Sequence, residues 1–392
     1  MHSERHAIVG VAESDRSRNS GKSTLRLAVE AGRRAIADAG LAPADVDGIL
    51  SYHDLDSSDS HTVATYLGIK PRFFDDSFGG GSATETLVAK ATALIDAGLA
   101  NNVLIFRSLN GRSGGRMGGS LGASDWNPQA VMAKIFSGSS FLAPFGAVTP
   151  AEYFGLVASR HMHDRGLTSE HLEAVCMAFY EHAQRNPKAI FYGRPLSHES
   201  YRDAPYICWP LRLPDYCTET DEANAIIVSS AERARDARHT PVYIRGMAGR
   251  HGTDNAHIYA TADPTHFAAQ LAAKEVYRTA GLGPADIDVA AIYDCFSWVV
   301  LAQIEAYGLA PDGDVGAFVS AGNLRLGGKL PTNTAGGMLA EGYTHGMNNL
   351  IELVRQLRHE YVGSDRQVQD CKVGLCTGWG GPRSSSALIL SR

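Results

Sequence analysis

No stretch of this chain is apolar for the roughly 20 residues a membrane helix requires. Nor is there an excess of basic charge: 36 Lys and Arg stand against 42 Asp and Glu, a formal net charge of −6. That excludes the cationic footprint of a nucleic-acid binder. Cysteines are few, and the six (Cys176, Cys208, Cys217, Cys295, Cys371, Cys376) lack metal-ligand spacing. In a chain of this size they read as reduced thiols. The opening MHSERHAIVGVAES carries charges where a signal peptide would place its apolar stretch. A soluble cytoplasmic protein with no metal is expected. What the chain does have is bulk: 392 residues, 44% of them apolar, are enough for two or three domains around large cores.

The chain repeats itself. Ala39-Gly-Leu-Ala-Pro-Ala-Asp-Val-Asp47 returns as Ala280-Gly-Leu-Gly-Pro-Ala-Asp-Ile-Asp288, a shift of 241 positions. At the same shift Thr24 matches Thr265, Ala31 matches Ala272, Arg33 meets Lys274, and Tyr52 matches Tyr293. Each copy reads as a helix, a glycine C-cap and a short strand. Leu27, Ala28, Ala31, Ala35 and Ile36 fall at helical spacing, and Gly40 sits where a left-handed cap belongs. Further on, Phe73-Phe74 reads as strand, Ser82 to Gly98 as helix, and Val103 to Phe106 as strand. Alternating strands and helices predict a duplicated α/β protein built from βαβ units. The expected organisation is a first half at 1–110 plus 221–235, an insertion at 111–220, and a second half at 240–392. The insertion opens on the Gly-rich stretch Ser113 to Gly122 and contains a helix at Ser169 to Ala183. Long insertions at one face of a sheet carry binding loops.

Two tempting signals fail, and a third is kept only as a second choice. Gly21-Lys22-Ser23 resembles the end of a phosphate-binding loop, but Arg16 stands where that motif needs its first glycine. His161 and His163 are two apart, so on a helix they point in different directions. The Gly79-Gly80-Gly81 run before a helix suits a phosphate, but a different reading accounts for it better.

Three strings converge on one family. Tyr293-Asp294-Cys295-Phe296-Ser297 is similar to the His-Asp-Cys-Phe-Ser motif of the sterol-carrier-protein-type thiolases, with Tyr293 replacing histidine. Asn333-Thr-Ala-Gly336-Gly337 followed by Gly342-Tyr343 resembles the thiolase Asn-Pro-Ser-Gly-Gly and Gly-His-Pro motifs with their spacing intact, and Tyr343 takes the catalytic histidine position. Gly374-Leu-Cys376-Thr-Gly378 looks like the C-terminal motif around the acid/base cysteine, which falls on Cys376. In the insertion, Arg160 to His163, His182 to Pro187 and Trp209 to Asp215 look like that family's loop domain. The resemblance spans the chain and implies a thiolase fold. Two duplicated βαβαβ halves would each bring a five-stranded sheet to a five-layer αβαβα sandwich, and the chain would be at least a homodimer.

Departures from the family carry the functional reading. Thiolases attack with a cysteine at the N-terminus of the first half's buried helix. Here that stretch is Ser77-Phe78-Gly79-Gly80-Gly81-Ser82, the cysteine position falls at or near Phe78, and the nearest cysteine in sequence is Cys176. A serine nucleophile needs a base, and the histidine that would serve is Tyr343. A retro-aldol cleavage of a 3-hydroxyacyl-CoA passes through the same thioester enolate with no covalent intermediate. It needs a base for the hydroxyl proton, donors for the thioester oxygen and an acid for the α-carbon. Tyr293 and Tyr343 are the expected catalytic pair, with one phenol lowered in pKa by helix N-termini and its neighbour, and Cys376 is secondary. Ser77, Phe78, Gly79, Asn333 and Gly378 are the expected substrate and oxyanion contacts. Coenzyme A enters only as part of the substrate.

This combination looks like the actinobacterial steroid side-chain-cleaving aldolases of the thiolase superfamily. That likeness implies release of a 17-keto steroid and propionyl-CoA from a 17-hydroxy steroid acyl-CoA. It also implies a partner with an OB fold and zinc ribbon, of the domain-of-unknown-function 35 type. Two alternatives remain: a non-catalytic acyl-CoA or sterol-binding subunit, and a residual ketothiolase or acyltransferase.

Overall fold

A computed structural model describes residues 4–53, 56–114, 142–147, 149–253 and 261–392. Most of the Gly-rich stretch from Ser113 to Gly122 lies outside the described residues. The strands are β1 (His6–Glu13), β2 (Gly48–His53), β3 (Phe73–Phe78), β4 (Asn102–Asn110), β5 (Tyr206–Cys208), β6 (Leu211–Arg212), β7 (Asp221–Ser230), β8 (Val242–Gly252), β9 (Val289–Ala291), β10 (Val373–Trp379) and β11 (Ser384–Ser391). The longer helices are α1 (Thr24–Asp38), α2 (Ser60–Leu67), α3 (Ala83–Asp96), α4 (Pro150–Arg165), α5 (Ser169–Gln184), α6 (Ala268–Ala280), α7 (Ser297–Ala306) and α8 (Met347–Leu357).

Nine strands form one sheet in the order β3-β2-β4-β7-β1-β8-β11-β10-β9. The repeat is visible in it. In the first half β1 and β7 are antiparallel, β7 and β4 antiparallel, and β4 and β2 parallel. The second half repeats this sense with β8, β11, β10 and β9. The halves join where Ala7 pairs with Tyr243 and Ile8 with Val242. The expected fifth strand of the second half is not a strand: its place beside β9 holds a single parallel bridge, Ala290 with Thr332. The chain turns away there because Asn333, at φ 50°, adopts the left-handed region.

Burial separates five layers. α1 and α2 cover the outer face of the first half-sheet, where Leu27, Ala31, Ala35 and Ile49 share a core with Leu104 and Phe106. α3 and α8 lie between the half-sheets, and one core joins Leu50 and Ile105 of the first to Leu388 and Leu390 of the second. α6 and α7 cover the far face. Strands covered on both sides are apolar throughout, as the run Val103 to Phe106 is. Equivalent glycines let strand and helix touch in each half. A Cβ on Gly10 would lie 2.5 Å from the Ala35 carbonyl oxygen and 2.8 Å from the Ala39 Cβ, and one on Gly246 would lie 2.7 Å from both the Val276 oxygen and the Ala280 Cβ.

α4 and α5 lie in the stretch between β4 and β7, where the insertion is expected. His161 is buried between Trp298 and Glu305, whereas the side chain of His163 is 86% exposed. Buried Asp215 ties the insertion to the second half: it accepts hydrogen bonds from Tyr201 Oη (2.9 Å) and from Ser297 Oγ (2.6 Å), a residue of the Tyr-Asp-Cys-Phe-Ser string.

Candidate active site

Past the end of β9 the backbone leaves the sheet at Ile292, and Asn333 grips it there from both sides. Its Oδ1 accepts from Ile292 N and its Nδ2 donates to Ile292 O, each at 2.8 Å. Tyr293 follows, its amide donating to Thr377 Oγ1 (3.1 Å) and its carbonyl accepting from Gln303 Nε2 (2.7 Å). The ring lies in a slot between two glycines. A methyl on Gly81 would overlap the Tyr293 ring, and one on Gly346 would lie 3.0 Å from Cδ2. Only glycine leaves that space. Tyr343 approaches from the other side, its amide held by Thr220 Oγ1 at 2.9 Å. The two phenol oxygens stand 3.4 Å apart. Tyr293 is 3% and Tyr343 6% exposed, so solvent barely reaches either.

Burial overturns one expectation. Neither phenol is lowered in pKa: desolvation pushes both well above the usual tyrosine value, and for Tyr293 the Tyr343 phenol adds to the effect. The hydrogen bond with Tyr293 and the charge of Arg107 oppose that rise at Tyr343 alone. At neutral pH the site therefore holds two protonated phenols in contact, which suits proton relay rather than a standing phenolate.

Beside Tyr343 is a cluster that no sequence motif flagged. Arg107 is fully buried on β4. Its Nη1 donates to Tyr52 O (2.9 Å), its Nη2 to Asp56 Oδ2 (2.6 Å), and its Nε to His345 Nδ1 (3.2 Å). The His345 ring lies 5.0 Å from that of Tyr343. Burial and the Arg107 charge hold His345 well below its usual pKa, so the ring stays neutral. An imidazole accepting at Nδ1 keeps its proton on Nε2. His345 is in the left-handed region at φ 52°, a cost tolerated where a turn must place groups on either side.

The other residues singled out in the sequence fall in several places. Asn333 holds both backbone polar groups of Ile292, the residue before Tyr293, through its side-chain amide. Ser77, at the end of edge strand β3, donates to Asp75 Oδ2 (3.3 Å). Phe78 is 73% exposed there, five residues before α3 begins, and it is Gly81 that backs onto Tyr293. Gly79 abuts the guanidinium of Arg250, which donates to Phe78 O (3.3 Å). Gly378 lies against the carboxylate of Glu85, with no room for a side chain. Cys376 is fully buried in the middle core. Its thiol donates to Glu85 Oε1 (3.3 Å), and burial followed by the Glu85 charge raises its pKa well above the usual value. Burial lifts Glu85 itself to about 7.

A cleft reaches Tyr343 from outside, lined by Asp56, Leu109, Asn110, Gly111, Glu219 and Thr220. No described helix is long and apolar enough to cross a membrane. Among the described residues no group of three or more His, Cys, Asp or Glu could hold a metal ion.

Comparison with known proteins places the chain among its relatives. Residues 251–392 match the thiolase C-terminal domain-like family. The chain is 40% identical over 377 residues to a steroid side-chain-cleaving aldolase of Thermomonospora curvata, covering 95% of each chain. It is 39% identical over 382 residues to the 17-hydroxy-3-oxo-4-pregnene-20-carboxyl-CoA lyase of Mycobacterium tuberculosis, covering 96% of this chain and 98% of that one. Among solved structures, an Ltp2-ChsH2(DUF35) aldolase superposes with a TM-score of 0.88 at 38% identity, over 99% of this chain and 98% of that chain. The duplicated sheet, the vacated nucleophile position and these relatives together establish that the chain belongs to the thiolase superfamily, in the branch of the steroid side-chain-cleaving aldolases.

Proposed function

We propose that the protein is a carbon–carbon lyase that cleaves a 3-hydroxyacyl-CoA by a retro-aldol reaction. Its substrate is a 17-hydroxy steroid carrying the CoA thioester on its side chain, and its products are a 17-keto steroid and propionyl-CoA. The observation that carries this reading is the pair of protonated phenols 3.4 Å apart. A retro-aldol moves one proton from the substrate hydroxyl to the α-carbon of the departing acyl-CoA, and nothing else is gained or lost. One tyrosine receives the hydroxyl proton as it passes its own to the second, and the second protonates the enolate carbon. Such a relay needs no lowered pKa. The charge of Arg107 beside Tyr343 favours Tyr343 as the member that carries developing negative charge. Acyl transfer has little support: Cys376 is committed to Glu85 within the core, and the carboxylate beside Ser77, Asp75, is paired with Lys90.

The assembly follows the same logic. β3 is an edge strand that carries Phe74 and Phe78, 49% and 73% exposed, and an exposed apolar edge invites pairing with a second copy. A homodimer through this edge, together with a partner of the OB-fold and zinc-ribbon type, forms the working enzyme in the cytoplasm.

Incubation with a panel of 3-hydroxyacyl-CoA thioesters, with and without that partner, tests the reading. The expected products are a ketone and a shortened acyl-CoA, formed without added thiol. A requirement for free coenzyme A, or an acyl adduct on residues 77 to 82 by mass spectrometry, sinks it.

A further inference from the structure

Three arginines converge outside the catalytic pair. Ser17 pairs with Asp221 as an antiparallel bridge, with N···O distances of 3.1 and 2.8 Å. Asp221 Oδ1 accepts from the amides of Arg112 (2.9 Å) and Ser113 (3.0 Å), and Ser113 Oγ donates to Asn19 Oδ1 (3.1 Å). The segments carrying Arg18 and Arg112 are thus laced together. The Arg18 guanidinium in turn lies 4.8 Å from the centre of the Phe191 ring, and Arg194 N donates to Phe191 O at 2.9 Å.

Among the described residues, none of these three guanidiniums has an ion pair with a carboxylate. The acid of this framework, Asp221, spends its oxygens on the amides of Ser20, Arg112 and Ser113 and on two serine hydroxyls. Burial, followed by the charges of Arg194 and Arg112, holds Arg18 below the ordinary arginine value. Gathering like charges with no carboxylate partner among the described residues is a standing cost that a bound anion relieves.

Position indicates which anion. Gly111, next to Arg112, lines the cleft that Tyr343 also lines. We propose that Arg18, Arg112 and Arg194 form the docking site for the phosphates of the coenzyme A portion of the substrate. They hold its anionic end at the rim while the thioester reaches Tyr343. The proposal rests on the acyl-CoA reading above, and arginine suits it because its planar fork matches phosphate oxygens.

Calorimetric titration of the full chain with coenzyme A, adenosine 3′,5′-bisphosphate and pantetheine tests it without turnover. Each of R18Q, R112Q and R194Q should weaken coenzyme A and the bisphosphate roughly 3- to 10-fold. The affinity should fall with added salt. Pantetheine, which lacks these phosphates, should bind the triple variant and the unaltered chain alike, and R18K should restore most of what R18Q loses. Unchanged coenzyme A affinity in the triple variant overturns the proposal, as does an equal loss for pantetheine. A chain that binds coenzyme A through these arginines but cleaves no 3-hydroxyacyl-CoA refutes the lyase reading alone. Cleavage with an unchanged KM in the triple variant refutes the arginine site alone.

Discussion

The two copies of the repeat put a tyrosine at the same place and use it differently. Tyr52 lies near the end of β2 in the first half and Tyr293 follows β9 in the second, 241 positions apart. Both are buried, and desolvation raises both in pKa. Tyr52 has its hydroxyl fully occupied: Thr84 Oγ1 lies 2.7 Å away, and the carbonyls of Thr344 and His345 at 3.3 and 3.4 Å. Among the described residues the Tyr293 hydroxyl has only another phenol, beside a cleft that this second phenol lines. Duplication determined where the hydroxyl stands. The neighbours determine whether it is locked or free to exchange a proton.

The comparison breaks first at Tyr293 and Tyr343. Phenylalanine at either position should lower kcat by roughly 10² to 10⁴ with KM little altered, and the double variant should be far less than multiplicatively worse. Cys376→Ala should cost much less. Because both phenols are raised above 10, the pH profile of kcat should show no phenol ionisation below that value, and a basic limb near neutrality would refute the relay. A smaller effect tests the equivalence of the halves. Gly10→Ala and Gly246→Ala each force a Cβ into a helix, so each should destabilise by about 1–3 kcal/mol in denaturant unfolding. A large difference between them would mean that the halves pack by different rules. The smallest effect is at Tyr52, where Tyr52→Phe should cost about 1 kcal/mol of stability. Steady-state kcat should hardly move. If that change instead abolishes turnover, the locked tyrosine is part of the relay.

Much of the architecture was legible because it is written locally. Helical spacing, the cap at Gly40 and the repeated Pro-Ala-Asp turn are short-range signals, and each marks a feature seen in both halves. The missing fifth strand was not legible, since beside β9 only the bridge of Ala290 with Thr332 forms before Asn333 turns into the left-handed region. Arg107 and His345 lie 238 residues apart and no motif spans them, so their contact appears only once the sheet is assembled. The phenols' pKa could not be read either. Chain neighbours suggested helix N-termini that would lower it, whereas the deciding influence is burial, a property of the whole fold.

The middle core carries a consequence for how the molecule comes apart. α3 and α8 are wrapped by side chains from both half-sheets, so neither half owns a complete interior. Peeling one half away would strip water-avoiding surface from the other as well, although among the described residues two pairs connect the sheet across the seam. Local opening at that seam is therefore tied to global unfolding. The slot that holds Tyr293, built from Gly81 just before α3 and Gly346 at the start of α8, inherits that rigidity.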